Sequence, residues 1–337
     1  MPAINNPPAD SGPWPSQRPH PRHAGDPELL HRVEVPHPDL PESLDGLTVM
    51  HFTDAHVRRG YDGADAEAPD AQATWWRGVL EAVSSVQVDL AVFTGDWCDE
   101  LGQEASAARA LCQLAGATRT RLGCFGVFGN HDNPTMRRLA REQVPICWVG
   151  RRTKLLRPDL RLLGMDFPED PLGTMLDCGL VPAAEAEAAA SASAGRRPLA
   201  LDPFVITLAH SPSVLLHGAE LGLPLIFAGH THGGQVRVPL NPLSAVPFVG
   251  GAVSRWAQRT LGGVLAPNTS SDMPGFMASG VLGFRRTLCC VSRGLGDSVA
   301  ELARANCPRQ IALYRLVRAN ADQPLPDTSR PTRLIEF

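Results

Sequence analysis

LTVMHFTDAH, Leu47 to His56, decides the fold. Its apolar first half reads as a strand buried on both faces, and its end carries an acid and an imidazole, Asp54 and His56. The same arrangement recurs along the chain. DLAVFTGD (Asp89 to Asp96), GCFGVFGNHD (Gly123 to Asp132), FVITLAHS (Phe204 to Ser211) and PLIFAGHTHGG (Pro224 to Gly234) each read as an apolar strand running into polar residues. LLHRVEV, from Leu29, alternates like a further strand. ATWWRGVLEAVSSV (Ala73 to Val86) and EASAARALCQLAG (ending at Gly116) have helical spacing, and the alanine-rich Ala183 to Gly195 reads as a surface helix running into a loop. Strands alternating with helices predict an α/β fold.

The strand ends carry the chemistry. They supply Asp54 and His56, then Asp96, then Asn130, His131 and Asp132, then His210, and finally His230 and His232. Ligand sites in open α/β sheets gather beyond the carboxyl ends of the strands, so these ends imply one shared site. A single histidine after a strand is ordinary. Carboxylates and imidazoles crowded together would repel or stay unsatisfied unless a cation bound them. Imidazole and carboxylate donors without cysteine suit Mn, Fe, Zn or Ni. Seven ligands, Asp54, His56, Asp96, Asn130, His210, His230 and His232, exceed what one catalytic ion with an open position takes, and suit two ions sharing a carboxylate. Such a pair can lower the pKa of a water held between the ions and stabilise charge on a phosphoryl group.

Composition narrows the rest. The chain has 337 residues and a net charge of −4, so long nucleic acid is not an expected partner. Its eight cysteines form no CxxC pair and read as reduced thiols of a cytosolic protein; the adjacent Cys289 and Cys290 should point to opposite faces of a strand. No secretory or twin-arginine signal opens the sequence, and no apolar run reaches the roughly 20 residues of a membrane span. A cytoplasmic protein, with peripheral membrane contact left open, is the expectation. Residues 1–28 are proline-rich and predict a disordered tail. One domain is expected over residues 29–320, followed by a C-terminal tail, 321–337. Within it, about 239–284, lies an apolar stretch holding only Arg255, Arg259 and Asp272 as charged residues. It reads either as packed core or as a lid whose apolar face, with Trp256 and Leu261, admits an acyl chain or touches a membrane.

In order, D-x-H (Asp54, His56), G-D-x-x-D (Gly95, Asp96, Asp99), G-N-H-D (Gly129 to Asp132), a downstream His210 and G-H-T-H-G-G-Q (Gly229 to Gln235) resemble the calcineurin-like metallophosphoesterases, over residues 30–317. With SRGLG (Ser292 to Gly296), the last motif is similar to a bacterial branch of phosphodiesterases, some acting on lipid-linked phosphates. The resemblance implies two mixed β-sheets packed as a four-layer sandwich with helices outside. It implies two divalent or trivalent transition-metal ions (Mn, Fe or Zn), the first on Asp54, His56 and His232, the second on Asn130, His210 and His230, with Asp96 bridging. His131 would help stabilise the transition state and protonate the leaving group, with Asp99 orienting it. Gly95, Gly129 and Gly229 would let the backbone turn tightly. Related protein Ser/Thr phosphatases have arginine where this chain has Glu100, which argues against a phosphoprotein phosphatase. Arg58, Arg59 and Arg293 read as surface arginines or as substitutes for that phosphate contact. The implied activity is hydrolysis of a small-molecule or lipid phosphoester, a phosphodiester ahead of a monoester, by metal-activated hydroxide. The alternatives are a nucleotide phosphodiesterase or nuclease, and a non-catalytic module on the same fold.

Overall fold

Two sheets carry the strands quoted above. A computed structural model describes residues 29–58, 70–99, 101–180, 202–234, 279–296, 307–319 and 332–335. The first sheet runs β1 (Leu30–His37), β12 (Ile311–Arg318), β2 (Thr48–Phe52), β3 (Gln87–Phe93), β4 (Arg119–Gly126) and β5 (Cys147–Trp148). All neighbours in it are parallel except β12 and β2. The second runs β13 (Thr332–Ile335), β10 (Gly280–Phe284), β11 (Thr287–Val291), β9 (Leu225–Ala228), β8 (Phe204–Leu208), β7 (Leu160–Gly164) and β6 (Arg152–Arg157). Its centre, from β11 to β7, is parallel; β6 joins β7 as an antiparallel hairpin at one end, and at the other β10 is antiparallel to both β11 and β13.

The period of two along each strand sorts side chains between layers. Val49, Leu90 and Val92 face Ile206, Leu208, Leu225 and Phe227 in the core between the sheets. Met50, Phe52, Ala91 and Phe93 face the other way. They are covered there by α1 (Asp70–Ser84), α2 (Glu104–Ala117) and α3 (Pro134–Gln143), through Trp76, Val79, Leu111, Leu114 and Met136. The second sheet's outer face, with Val205, Ile226 and Val291, packs against Met175 of α4 (Pro171–Asp177) and against Val214 and Leu215 of α5 (Val214–Glu220). Four layers result, as the resemblance implied. Cys289 belongs to the outer core and Cys290 to the inter-sheet core, so the adjacent thiols do part. All eight cysteines are free, and Cys147 is exposed.

The structure departs from the expected elements at the C-terminal tail and at two edge strands. The tail expected from residue 321 contains β13, whose Ile335 and Leu334 pack on the inter-sheet core while its backbone pairs with β10. Ser279–Phe284, the end of the 239–284 stretch read either as packed core or as a lid, is sheet and the loop leading into it, with Val281 and Leu282 buried on opposite faces. Arg-rich β6 and two-residue β5 lacked the apolar runs that marked the other strands. Residues 1–28, the helix expected over 183–195, and Trp256 and Leu261 of the lid segment lie outside the described residues.

Candidate metal centre

The carboxyl ends of β2, β3, β4, β8 and β9 open onto one place. The loops after β2 and β3 stay joined beyond the strands: Asp54 N donates to Gly95 O (2.9 Å), His56 N to Asp96 O (3.1 Å) and Val57 N to Trp97 O (2.8 Å). In the loops after β2, β3 and β9 the backbone turns left-handed at five of the seven expected ligands: Asp54, His56, Asp96, His230 and His232 have φ between 42° and 70°. That region costs a non-glycine residue roughly 1–2 kcal/mol, and such strain concentrates at functional sites. Of the three glycines expected to turn the chain, only Gly95 has positive φ (95°). Gly129 and Gly229 serve space instead, since a Cβ would overlap the carboxylate of Asp96 at one and that of Asp54 at the other.

All seven expected ligands meet. Asp54, His56 and His232 place ligand atoms within 4.8 Å of one another, and so do Asp96, His210 and His230. Asn130 completes the second group, its Oδ1 2.9 Å from His210 Nε2. Asp96 stands between the groups: its Oδ2 is 3.1 Å from His210 Nε2 and 3.7 Å from His56 Nε2. The amide of His131 donates to its Oδ1 (2.8 Å).

The donor set fits metal ions. Among the described residues the buried His56 Nε2 has no hydrogen-bond partner, and it lies 4.0 Å from the Asp54 carboxylate. Donors sharing an ion at about 2.1 Å sit roughly 3–3.5 Å apart, so these oxygens and nitrogens are spaced to close on a cation. The far nitrogens are engaged as in metal-ligating histidines, which donate their other N–H to a carboxylate or carbonyl. His56 Nδ1 meets Asp99 (3.1 Å), His210 Nδ1 meets Thr94 O (2.7 Å) and His232 Nδ1 meets Gly296 O (3.3 Å). Electrostatics agree. Burial works against a charged His210, yet the Asp96 carboxylate outweighs it and raises its pKa to about 10. Burial likewise opposes ionisation of Asp96, and the His210 imidazole overrides it, lowering the pKa. A pocket that draws protons this strongly onto buried imidazoles would draw a metal cation in their place.

The dyad expected between Asp99 and His131 is rearranged. Asp99 gives one oxygen to His56 and the other to Arg58 Nε (2.7 Å), so it braces an expected ligand. His131 stands beside them, its ring 4.8 Å from that of His56, and its ligand atom lies within 4.8 Å of those of His56 and Asp99. Arg58 is thus no plain surface arginine, and neither is Arg293, which is buried. Arg59 and Glu100 lie outside the described residues.

Three supporting groups were not legible as such. Buried Asp132 accepts from the amides of Asp96 (2.9 Å), Trp97 (2.9 Å) and Gly129 (2.8 Å), tying the β3 and β4 loops together. Its place in G-N-H-D was the available signal. Glu169 Oε1 accepts from the amides of His210 (2.8 Å) and Ser211 (2.7 Å), and burial raises its pKa. Arg137 of α3 donates to the carbonyls of Asp132, Gly129 and Phe167. Nothing in the local sequence marks those last two.

Comparison with known proteins follows the same lines. A family model described as calcineurin-like phosphoesterase matches residues 47–178. The chain is similar to a transmembrane protein with metallophosphoesterase domain from Bos taurus, at 28% identity over 68% of this chain and 50% of that protein. It is also similar to the uncharacterized metallophosphoesterase YkuE of Bacillus subtilis (strain 168), at 24% over 62% of this chain and 66% of the relative. A shorter stretch, 27% of this chain and 24% of the relative, is 33% identical to the UDP-2,3-diacylglucosamine pyrophosphatase LpxG of Chlamydia muridarum (strain MoPn / Nigg). The chain spans about half the length of the first two curated relatives it matches, 50% and 48%. Among the described residues no helix is long and apolar enough to cross a membrane.

Proposed function

Because this chain carries a calcineurin-like phosphoesterase domain, we propose that it is a metal-dependent phosphoesterase, cleaving a phosphodiester in preference to a monoester. The observation that carries the reading is the pair of three-residue donor groups meeting across Asp96. Asp54, His56 and His232 would hold one transition-metal ion, Asn130, His210 and His230 the other, and Asp96 both. Bound ions supply Lewis acidity and a lowered pKa for water.

The protein's own groups supply the rest. Asp99, Thr94 and the Gly296 carbonyl fix which nitrogen each ligand histidine turns inward. Asn130 is exposed, marking the side from which substrate enters. His131, half-buried at the edge of the first group, is placed to give a proton to the departing oxygen. A lipid-linked phosphate is our preferred substrate class, supported by the apolar 239–284 segment and by the partial likeness to a diacylglucosamine pyrophosphatase. The domain would act in the cytoplasm or at a membrane surface, in keeping with eight free cysteines.

A substrate panel of mono- and diesters of nucleotides and phospholipids, with metal analysis of the same preparation, tests this. Chelator-sensitive hydrolysis of an aryl phosphodiester is expected. A folded, metal-loaded protein inactive on every phosphoester would overturn the reading, and preference for nucleotide diesters would move it to a nucleotide phosphodiesterase.

A further inference from the structure

Beyond Asn130 the surface opens into a cleft of about 870 Å³, lined also by Phe167, Pro168 and the arginines of α3. Its size falls within the roughly 300–1,000 Å³ of small-molecule sites. Asn130 belongs both to this lining and to the second donor group, so whatever enters the cleft lies next to the reacting centre.

The arginines divide by role. Arg137 is committed to backbone carbonyls and holds the loops in place. Arg138 and Arg141, three apart on the helix and so on one face, keep side chains 59% and 52% exposed. The acids near them hold them weakly. Glu142 pairs with Arg138 at 3.0 Å with its own side chain 53% exposed, and Asp166 lies 3.6 Å from Arg141. The exposed Arg138–Glu142 pair contributes about 0–1 kcal/mol. Asp166, only 15% exposed and also accepting from the Phe128 amide, reaches Arg141 no closer than 3.6 Å, which leaves both guanidiniums able to meet a phosphate, whose oxygens match their fork. Asp132, also in the lining, is no competitor, since both its oxygens accept from backbone amides. The Arg141 guanidinium rests 4.8 Å over the Phe128 ring, which limits its motion.

We infer that this cleft is a subsite for the non-reacting part of the substrate, selecting phosphoesters that carry a second phosphate, gripped by Arg138 and Arg141. The inference rests on the phosphoesterase reading.

The probes are p-nitrophenyl esters of thymidine 5′-phosphate with and without a 3′-phosphate, given to the metal-loaded full chain. Wild type should favour the doubly phosphorylated ester by about tenfold in kcat/KM, mostly through KM, the yield of one charge-assisted contact. Arg138→Gln with Arg141→Gln should reduce that ratio to about twofold or less, with metal content unchanged. Arg138→Gln alone, at an exposed position, should halve the advantage or more if the double variant folds poorly. No preference in wild type, or a preference that survives both substitutions, overturns the subsite. Failure of the phosphoesterase reading looks different: neither ester is cleaved. Calorimetry then still decides the cleft. Thymidine 3′,5′-bisphosphate binding tighter than the 5′-monophosphate, through these arginines, supports it, and equal affinities refute it.

Discussion

Gly294, in the loop after β11, presses directly on the metal centre from the second sheet. Its φ is 77°, and a Cβ there would meet Asp54 Cβ at 2.7 Å and Thr53 O at 3.2 Å. Ordinary contact begins near 3.4 Å, so Gly294→Ala must displace Asp54 or its own loop by about 0.7 Å, well beyond the ~0.2 Å tolerance of a metal–ligand distance. Left-handed backbone costs alanine about 1–2 kcal/mol and forced overpacking about 1–3 more, so a loss near 2–5 kcal/mol is expected. Urea unfolding of the chelated protein measures that cost, and zinc or manganese titration of the refolded protein measures ion affinity. The ion held by Asp54 should bind at least about tenfold more weakly, the scale on which supporting groups act. Gly78→Ala is the control: it is helical, and a Cβ there meets nothing within 4 Å. It should raise stability by about 0.5–1 kcal/mol. If Gly294→Ala keeps both stability and ion affinity of wild type, the close-approach argument is wrong.

Asp96→Asn should weaken both ions, because its carboxylate faces both donor groups; retention of one ion at full affinity in metal analysis argues against bridging. His131→Ala should keep both ions and lower kcat by about 10²–10⁴-fold, whereas an emptied position would make it a ligand. His51, sealed between the sheets, has its pKa lowered by burial to about 3, against 6.5 in the unfolded chain. A depressed histidine pKa means the unfolded state takes up the proton first. The stability is therefore complete above pH 6.5 and lost as pH falls toward 3, by up to about 1.4 kcal/mol per unit. In metal-free protein His51→Gln should flatten the fall of the urea midpoint between about pH 6 and 4; an unaltered slope refutes it.

The centre was more legible than its supports. Every expected ligand followed an apolar run such as LTVMHF or PLIFA, so strand and candidate ligand stood within ten residues of each other. Asp132, Glu169 and Arg137 act through backbone amides and carbonyls of other loops, and such partners exist only after folding. Asp99 was visible as a carboxylate, but its hydrogen bonds go to His56 and Arg58 rather than to the expected His131. Spacing in G-D-x-x-D cannot say that the left-handed turn at His56 brings that ring, with Arg58, to it first. Strands β5 and β6 escaped for a related reason: they lie at sheet edges, where the apolar run that marks a central strand is not required.

Each donor group draws from both sheets. Asp54, His56 and Asp96 follow strands of the first, and His210, His230 and His232 follow strands of the second. Asp54 and the amide of His230 meet across 176 residues of chain. A chain emerging from its amino end therefore shows four oxygen and nitrogen donors long before the remaining three histidines exist. Neither set closes until β9 has been made and docked against its neighbours. If these groups hold ions as proposed, capture would wait until β9 has docked, and a loaded centre would report that the two halves of the sandwich have met. Ions so held would act as rivets between the halves, and their affinity would add to the cohesion of the whole by mass action.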